Sequence, residues 1–496
     1  MVNDQDKQNP KTEQNKNQSS VSVTFWLISV FVSLAIGAIG MNMMSSGEDE
    51  EVDQQELKAA DTSHLPKEFS VVNDLYYLLD KKMDKKIDVN KIVEGALKGM
   101  AEATGDPYTM YFDPKEAESF DNELSGSFEG IGAEVVKEGD IIRIVAPIAG
   151  SPAEKAGLVT NDIVYEVDGQ SVADLSLREA VDLIRGEKGT TVELTIERNG
   201  QKQTIEIVRG EVPLNSVAFE VIDGPEKIAH IRMTSFSDTT YDELLDALKE
   251  CENQDIKKMI FDVRGNPGGL LTSALQISNL FVPDGKPLMQ AKTTEQKDPK
   301  IYKASQKYGK LKFENQAVLL VDEGSASASE ILAGALKSVG IPLVGTKTFG
   351  KGTIQSVQKL SNGGDIKYTI GQWLTADGEQ INEKGIVPNY EIAPHVASTY
   401  HLIDSKVTYQ LNDHSEEVKN IKNILSTLGY AVSDSNVFDE QTRQAVIEFQ
   451  SAHSLEKNGM VTGETAQKLV QALRDYLKKN DPQVKKAVEL LQSKDK

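Results

Sequence analysis

Two short apolar runs, each breaking on small residues into a helix, constrain this chain more than any other feature. Gln316-Ala-Val-Leu-Leu-Val-Asp322 is the continuous apolar pattern of a strand covered on both faces, and the helix-like stretch Ser329 to Lys337 follows it. Lys258-Met-Ile-Phe-Asp-Val-Arg264 is also strand-like, runs into Gly265-Asn266-Pro267-Gly268-Gly269 and continues as a helix from Leu270 to Leu280. Doubly covered strands belong to parallel sheets, where the turns after successive strands open at one edge. The two turns are therefore expected side by side.

The first turn reads Glu323-Gly324-Ser325-Ala326-Ser327-Ala328-Ser329-Glu330. Ser327 sits where strand becomes helix, which exposes a hydroxyl and puts the Ala328 N–H and a positive helix end beside it. Ser327 and Glu330 also stand in S-x-x-E spacing, the capping box of an ordinary helix start, so the local string fits a capping hydroxyl as well as an attacking one. Gly268 or Gly269 in the opposing turn offers a second N–H for an oxyanion. An attacking serine needs a base. The six histidines include none beside a comparable signal, and His230, His395 and His401 lie near apolar stretches as structural residues do.

A lysine supplies the alternative, in Thr348-Phe349-Gly350-Lys351-Gly352-Thr353-Ile354-Gln355. For Lys351 to act as a base near pH 7, desolvation must lower its pKa by about three units, or about 4 kcal/mol. Phe349 and Ile354 can form the apolar wall, and Gln355, four residues on, falls on the same face of a strand and can orient the amine. Taken alone, a G-K-G segment reads better as a glycine turn with a solvated lysine. The same residues nearly match the phosphate loop G-x-x-x-x-G-K-[ST], but Gly352 has no hydroxyl for Mg²⁺, and Ile354 to Leu360 alternates like a strand where a helix is required. Phosphate binding is thereby disfavoured.

Asp262-Val-Arg-Gly-Asn-Pro-Gly-Gly269, Glu323-Gly-Ser-Ala-Ser-Ala-Ser-Glu330 and Phe349-Gly-Lys-Gly-Thr-Ile-Gln355, in that order, resemble the carboxy-terminal processing (tail-specific) serine proteases. The resemblance implies Ser327 as nucleophile, Lys351 as general base and Gln355 as support for the lysine, with Ser325 and Ser329 as alternative nucleophiles. It implies no metal and no cofactor. Upstream, Ser127-Phe-Glu-Gly-Ile-Gly-Ala-Glu-Val-Val136, Gly150 to Gly157, Asn161 to Gly169, a helix from Ser176 to Ile184 and the strand Thr191 to Arg198 resemble a PDZ domain. Such domains add an extended peptide to a sheet edge and hold its terminal carboxylate on loop amides, here near Gly130, Ile131 and Gly132. Arg185, ending the PDZ helix, is a candidate relay of peptide binding, or simply a basic residue at a helix C-terminus.

The 496 residues imply several domains, and 39% apolar content suffices for ordinary cores. A net charge of −22 argues against nucleic acid as partner. The lone Cys251 rules out a disulfide framework. Residues 1–20 read as a polar cytoplasmic arm, and residues 21–44 carry no charge and are long enough to span a bilayer. Lys7, Lys11 and Lys16 precede that run and Glu48-Asp-Glu-Glu-Val-Asp53 follows it, so the positive-inside rule puts the bulk of the chain outside. The expectation is a single-pass, uncleaved membrane anchor with the catalytic part on the cell-wall side.

The expected architecture is multidomain α+β. An acidic linker (45–64) leads to a helical segment (65–124), which in the family helps pair subunits and so suggests a homodimer. A PDZ domain (125–210) and an α/β protease core with parallel βα units (211–400) follow. Ala291 to Lys312 reads as a polar surface excursion within that core. Helical patterns at Val418–Tyr430, Phe438–Gln450 and Asn458–Leu469 resemble the three-helix peptidoglycan-binding domain (411–476), followed by a helical tail (477–496). The function expected is an endopeptidase acting on protein C-terminal tails; a catalytically silent cell-wall scaffold is the alternative.

Overall fold

A computed structural model describes residues 66–148, 150–294 and 296–493. The arm, the expected membrane span and the whole acidic linker lie outside the described residues, and no helix among the described residues is long and apolar enough to cross a membrane.

The two apolar runs are central strands of one six-stranded sheet. Lys258–Asp262 is buried throughout, and five of the six residues of Gln316–Val321 are buried. The order runs Val217–Ile222, Ile228–Met233, Lys258–Asp262, Gln316–Val321, Leu343–Gly345, Tyr390–Glu391, parallel from Ile228–Met233 onward with Val217–Ile222 antiparallel at the edge. Asp262 pairs with Leu320, so both central strands end level. Their helices, Leu271–Phe281 and Ala328–Ser338, have nine buried residues each and lie deep in the main core rather than on its surface.

A second, antiparallel sheet meets this core. Asp365–Leu374 is its spine and pairs with Thr353–Lys359, with Pro287–Thr293 and with the short strand Met110–Phe112 from the N-terminal segment. Two readings of the sequence need correction. The stretch 291–312 is no surface excursion: it completes Pro287–Thr293, pairs it with Lys300–Lys303, and buries Tyr302, Ala304 and Tyr308 in the core. The region 65–124 is not wholly helical, because Met110–Phe112 interrupts the helices Ser70–Lys82, Val89–Glu102 and Pro114–Ser125.

The PDZ-like part has its own core around Ile142, Ile144, Val164, Leu194 and Ile196, and a sheet whose edge strand Ala133–Glu138 pairs only with Ile141–Pro147. Ser176 caps its helix, Leu177–Ile184, through a capping box with Glu179. Glu416–Thr427, Glu440–Ala452 and Gly463–Lys479 form a three-helix unit with a separate core. The last helix, Pro482–Ser493, returns to the protease sheet, where Ala487 and Leu491 pack on Ile228, Ile260, Val318, Leu320 and Val344.

Candidate active site

The level ends of the central strands bring the serine turn and the glycine turn together by main-chain bonds. Ala326 N–H donates to the Asn266 carbonyl (3.0 Å) and Gly265 N–H to Asp322 Oδ1 (2.8 Å). The hydroxyls of Ser325 and Ser329 stitch the same seam, donating to the carbonyls of Val263 and Asn266 at 2.8 Å each. Ser327 stands apart from both. Its φ of +53° is costly for a residue with a Cβ, its hydroxyl is not committed to a main-chain carbonyl, and the Glu330 N–H bonds to the Ser327 carbonyl (2.9 Å).

Glu330 organises the site. Its fully buried carboxylate accepts the N–H groups of Ser327 (2.9 Å) and Lys351 (2.8 Å) on Oε2, and Gly350 N–H (2.7 Å) and the Thr348 hydroxyl (2.6 Å) on Oε1. One oxygen thus joins the serine turn to the lysine turn. Burial pushes the Glu330 carboxyl up, opposed by these four donors. The S-x-x-E signal was legible as a cap; that the glutamate also grips the lysine loop was not, because that loop lies 21 residues further on.

Lys351 is fully buried, with its Nζ 5.1 Å from the centre of the Tyr108 ring. Desolvation lowers its pKa to about 8, against the opposing pull of Glu330 and Asp106. The expected mechanism for bringing Gln355 close, period-two geometry along one strand, does not hold. Lys351 precedes the strand Thr353–Lys359, and a register shift falls between Ile354 and Gln355. Gln355 is nevertheless buried: its Nε2 donates to Thr353 Oγ1 (2.7 Å) and Thr369 Oγ1 (3.4 Å), while Oε1 is buried without a hydrogen bond. Thr369 and Tyr108 carried no signal in the sequence, since their own elements lie far from the serine and lysine motifs.

Of the candidate oxyanion donors, Gly268 N–H is committed to Asn266 Oδ1 (2.9 Å), whereas Gly269 and Ala328 N–H donate to no group among the described residues. Gly268 has φ +108°, and a Cβ there would come within 2.9 Å of Ser327 Cβ and of the Ala328 nitrogen. Only glycine allows the turn so near the serine. His230 is no base: Asp262 (2.9 Å) and Glu220 (3.1 Å) engage both its ring nitrogens.

In the PDZ-like part, the N–H groups of Ile131 and Gly132 donate to no group among the described residues, while their carbonyls accept from Ala153 (2.7 Å) and Ile148 (2.9 Å). Arg185 is exposed and lies over the Phe128 ring at 5.2 Å, next to Gly130. The helix C-terminus is capped instead by Arg209, unread in the sequence, whose Nε and Nη2 donate to the carbonyls of Ile184 (2.9 Å) and Leu183 (3.0 Å).

A serine at a strained strand-to-helix turn, a buried lysine tied to it through one carboxylate, and free turn amides define a serine-type hydrolase carrying a PDZ-like module. Family models extend this: peptidase family S41 matches residues 227–392, the PDZ domain 143–198, the peptidoglycan binding domain 414–469 and the activating protease CtpB N-terminal domain 31–116. The carboxy-terminal processing protease CtpA of Bacillus subtilis is 38% identical over 469 residues, 94% of this chain and 98% of that protein. A CtpA-like serine protease of Staphylococcus haemolyticus is 34% identical over 97% of this chain and 96% of its own length. Among solved structures, a photosystem II D1 C-terminal processing protease is 28% identical with a TM-score of 0.38, covering 65% of this chain and 86% of that one. The chain belongs to the carboxy-terminal processing proteases of peptidase family S41, and it is a serine-type peptidase with a PDZ domain and a peptidoglycan-binding-type domain.

Proposed function

We propose that this peptidase is anchored by residues 21–44 in the cell membrane, works on the cell-wall side, and cuts proteins taken by their C-terminal tails with Ser327, Lys351 and Gln355. The observation that carries the catalytic part is the shared acceptor Glu330 Oε2, which ties the backbones of Ser327 and Lys351 to one buried atom. Neutral Lys351 takes the Ser327 proton as Oγ attacks the scissile carbonyl carbon. The oxyanion forms beside the N–H groups of Ala328 and Gly269, aided by the N-terminal end of the helix Ala328–Ser338. The resulting ammonium protonates the leaving amine; water then attacks the acyl-serine, giving its proton to Lys351, which passes it to the departing Ser327 Oγ. Gln355 Oε1 is suited to hold the ammonium.

The free amides of Ile131 and Gly132 support capture of a terminal carboxylate, and the open edge of Ala133–Glu138 supports strand addition by the tail. Arg185, beside Gly130, is the proposed relay from this site. The exposed apolar side chains Val71, Val72, Leu75, Tyr77 and Leu78 support pairing of two copies, and the three-helix unit supports retention at peptidoglycan. The test is hydrolysis of an unfolded protein by the wild type, Ser327→Ala and Lys351→Ala. Loss of cleavage in both variants is expected, and undiminished cleavage by either would overturn the mechanism.

A further inference from the structure

The mechanism leaves one part of the buried site unused: the loop Asp106-Pro107-Tyr108-Thr109, which comes from the N-terminal segment and brings the Tyr108 ring to 5.1 Å from Lys351 Nζ. Asp106 Oδ2 accepts the hydroxyls of Thr369 and Thr109, both at 2.6 Å, and Oδ1 accepts Tyr108 N–H at 3.2 Å. Burial pushes the Asp106 carboxyl up, but these donors outweigh it and hold it below the usual range, so it is a carboxylate that only accepts. The Thr369 proton is therefore committed to Asp106, and the Thr369 oxygen is left to accept from Gln355 Nε2 (3.4 Å), alongside Thr353 Oγ1 (2.7 Å). A reversed amide would set Oε1 against an oxygen whose only hydrogen is already given away. The Thr369 contact thus sets Nε2 toward the threonines and leaves Oε1 as a buried acceptor that carries no hydrogen bond.

We propose that Asp106 and Thr369 are positioning residues for the reaction, a hydrogen-bonded chain Asp106–Thr369–Gln355 that fixes the glutamine acceptor. The N-terminal segment is in this sense part of the catalytic site. The inference rests on the Ser327–Lys351–Gln355 reading above.

The charges facing Lys351 come from three directions. Glu330 lies on the serine helix, Asp106 and the Tyr108 ring on the N-terminal loop, and Lys367 on the strand Asp365–Leu374. Desolvation lowers Lys367 to about 7, with the Lys351 charge also acting against it and Asp106 opposing. It is thus largely neutral where Lys351 titrates. Removing the Asp106 charge takes away an attraction that favours the Lys351 ammonium, so the amine is freed at lower pH.

The experiment follows cleavage of a quenched-fluorescence peptide against pH by the full chain, comparing wild type with Asp106→Asn, Thr369→Val, Thr369→Ser and Lys351→Ala, with a thermal melt of each. Asp106→Asn, which keeps an acceptor for Thr369, is expected to move the acid limb of kcat/KM to lower pH. Thr369→Val is expected to lower kcat about tenfold with KM nearly unchanged, since the amide loses its lock while the substrate contacts remain. Thr369→Ser is expected to restore the rate. An inactive Lys351→Ala beside wild-type pH profiles and kcat in the Asp106 and Thr369 variants would overturn this inference and leave the serine–lysine mechanism standing. So would a Thr369→Val loss that Thr369→Ser fails to restore. An active Lys351→Ala would overturn the mechanism itself.

Discussion

At the scale of single residues, the site carries its function at a cost to stability. Lys351 titrates at about 8 in the folded chain against 10.5 ordinarily, so the unfolded chain binds more protons across that interval. The penalty is complete below pH 8 and disappears as pH rises toward 10.5, and a shift of this size corresponds to about 3 kcal/mol. Lys351→Met, similar in volume and without charge, is therefore expected to be inactive yet more stable by up to about 3 kcal/mol at pH 7, the gain shrinking by pH 10. Denaturant unfolding at both pH values checks it. Under the proposed lysine-base mechanism, activity should climb from pH 6 and level off above about 8, and a profile flat across that range would count against a lysine base. Glu330→Gln is predicted to damage both properties. An amide must point an NH₂ at some of the four donors the carboxylate now accepts, so a loss of about 2–4 kcal/mol in a melt and at least a hundredfold in rate are expected. The turns carrying Ser327 and Lys351, and the buried Gln355, were marked out in the sequence because each stands in a motif with its own chemistry. Asp106 and Thr369 were not, because an aspartate before proline and a threonine in an alternating strand have ordinary local explanations, and their partnership spans 263 residues.

At the scale of elements, the legible parts were those whose burial is written into a continuous run. Lys258–Asp262 and Gln316–Val321 fell where the apolar pattern put them, and their helices began within a residue or two of expectation. The antiparallel sheet was harder to read. Only Tyr302 is buried in Lys300–Lys303, so the segment looks polar, and Met110–Phe112 is three residues whose partner, Asp365–Lys367, is more than 250 residues away. The glycine turn gives a sharp prediction about how these elements dock. A Cβ at Gly269, whose φ is +147°, would lie 2.1 Å from the Phe236 carbonyl oxygen, a rigid main-chain atom, so Gly269→Ala is expected to fail in folding or melt far below the wild type. At Gly268 the clash is with the serine turn itself, at 2.8 Å from the Ala326 carbonyl oxygen and 2.9 Å from Ser327 Cβ. Gly268→Ala should fold with a lowered melting temperature but lose cleavage by tenfold or more, because the turn that moves is the one carrying Ser327, the proposed nucleophile. Equal activity in Gly268→Ala and wild type would mean that the two turns do not need this contact.

At the scale of the whole molecule, the chain does not end where its domain order suggests. Helical spacing in the sequence identified a terminal tail but left its docking face open, since the apolar positions of Pro482–Ser493 fit a free amphipathic helix as well as a docked one. In the structure that helix lies on the outer face of the parallel sheet, with Ala487 and Leu491 fully buried against Ile228, Ile260, Val318, Leu320 and Val344. Arg264, just before the glycine turn, is held there as well: it pairs with Asp262 through Nη2 (2.6 Å) and reaches Asp481 (2.6 Å) and Gln483 (2.7 Å) through Nη1. The three-helix unit is therefore strung between two attachments to the protease, and the sheet that aims Ser327 depends on Pro482–Ser493 for its cover. Leu491→Asp sets a charge in that contact and removes a buried leucine, which together should lower stability by about 4 kcal/mol or more. The consequence to measure is a lower melting temperature with earlier proteolysis within the protease core, even though the substitution is 164 positions beyond the nucleophile and the three-helix unit keeps its own core. If the core melts unchanged while only the tail becomes sensitive to protease, the helix is a dispensable cover, and the parallel sheet is stable with that face open to water.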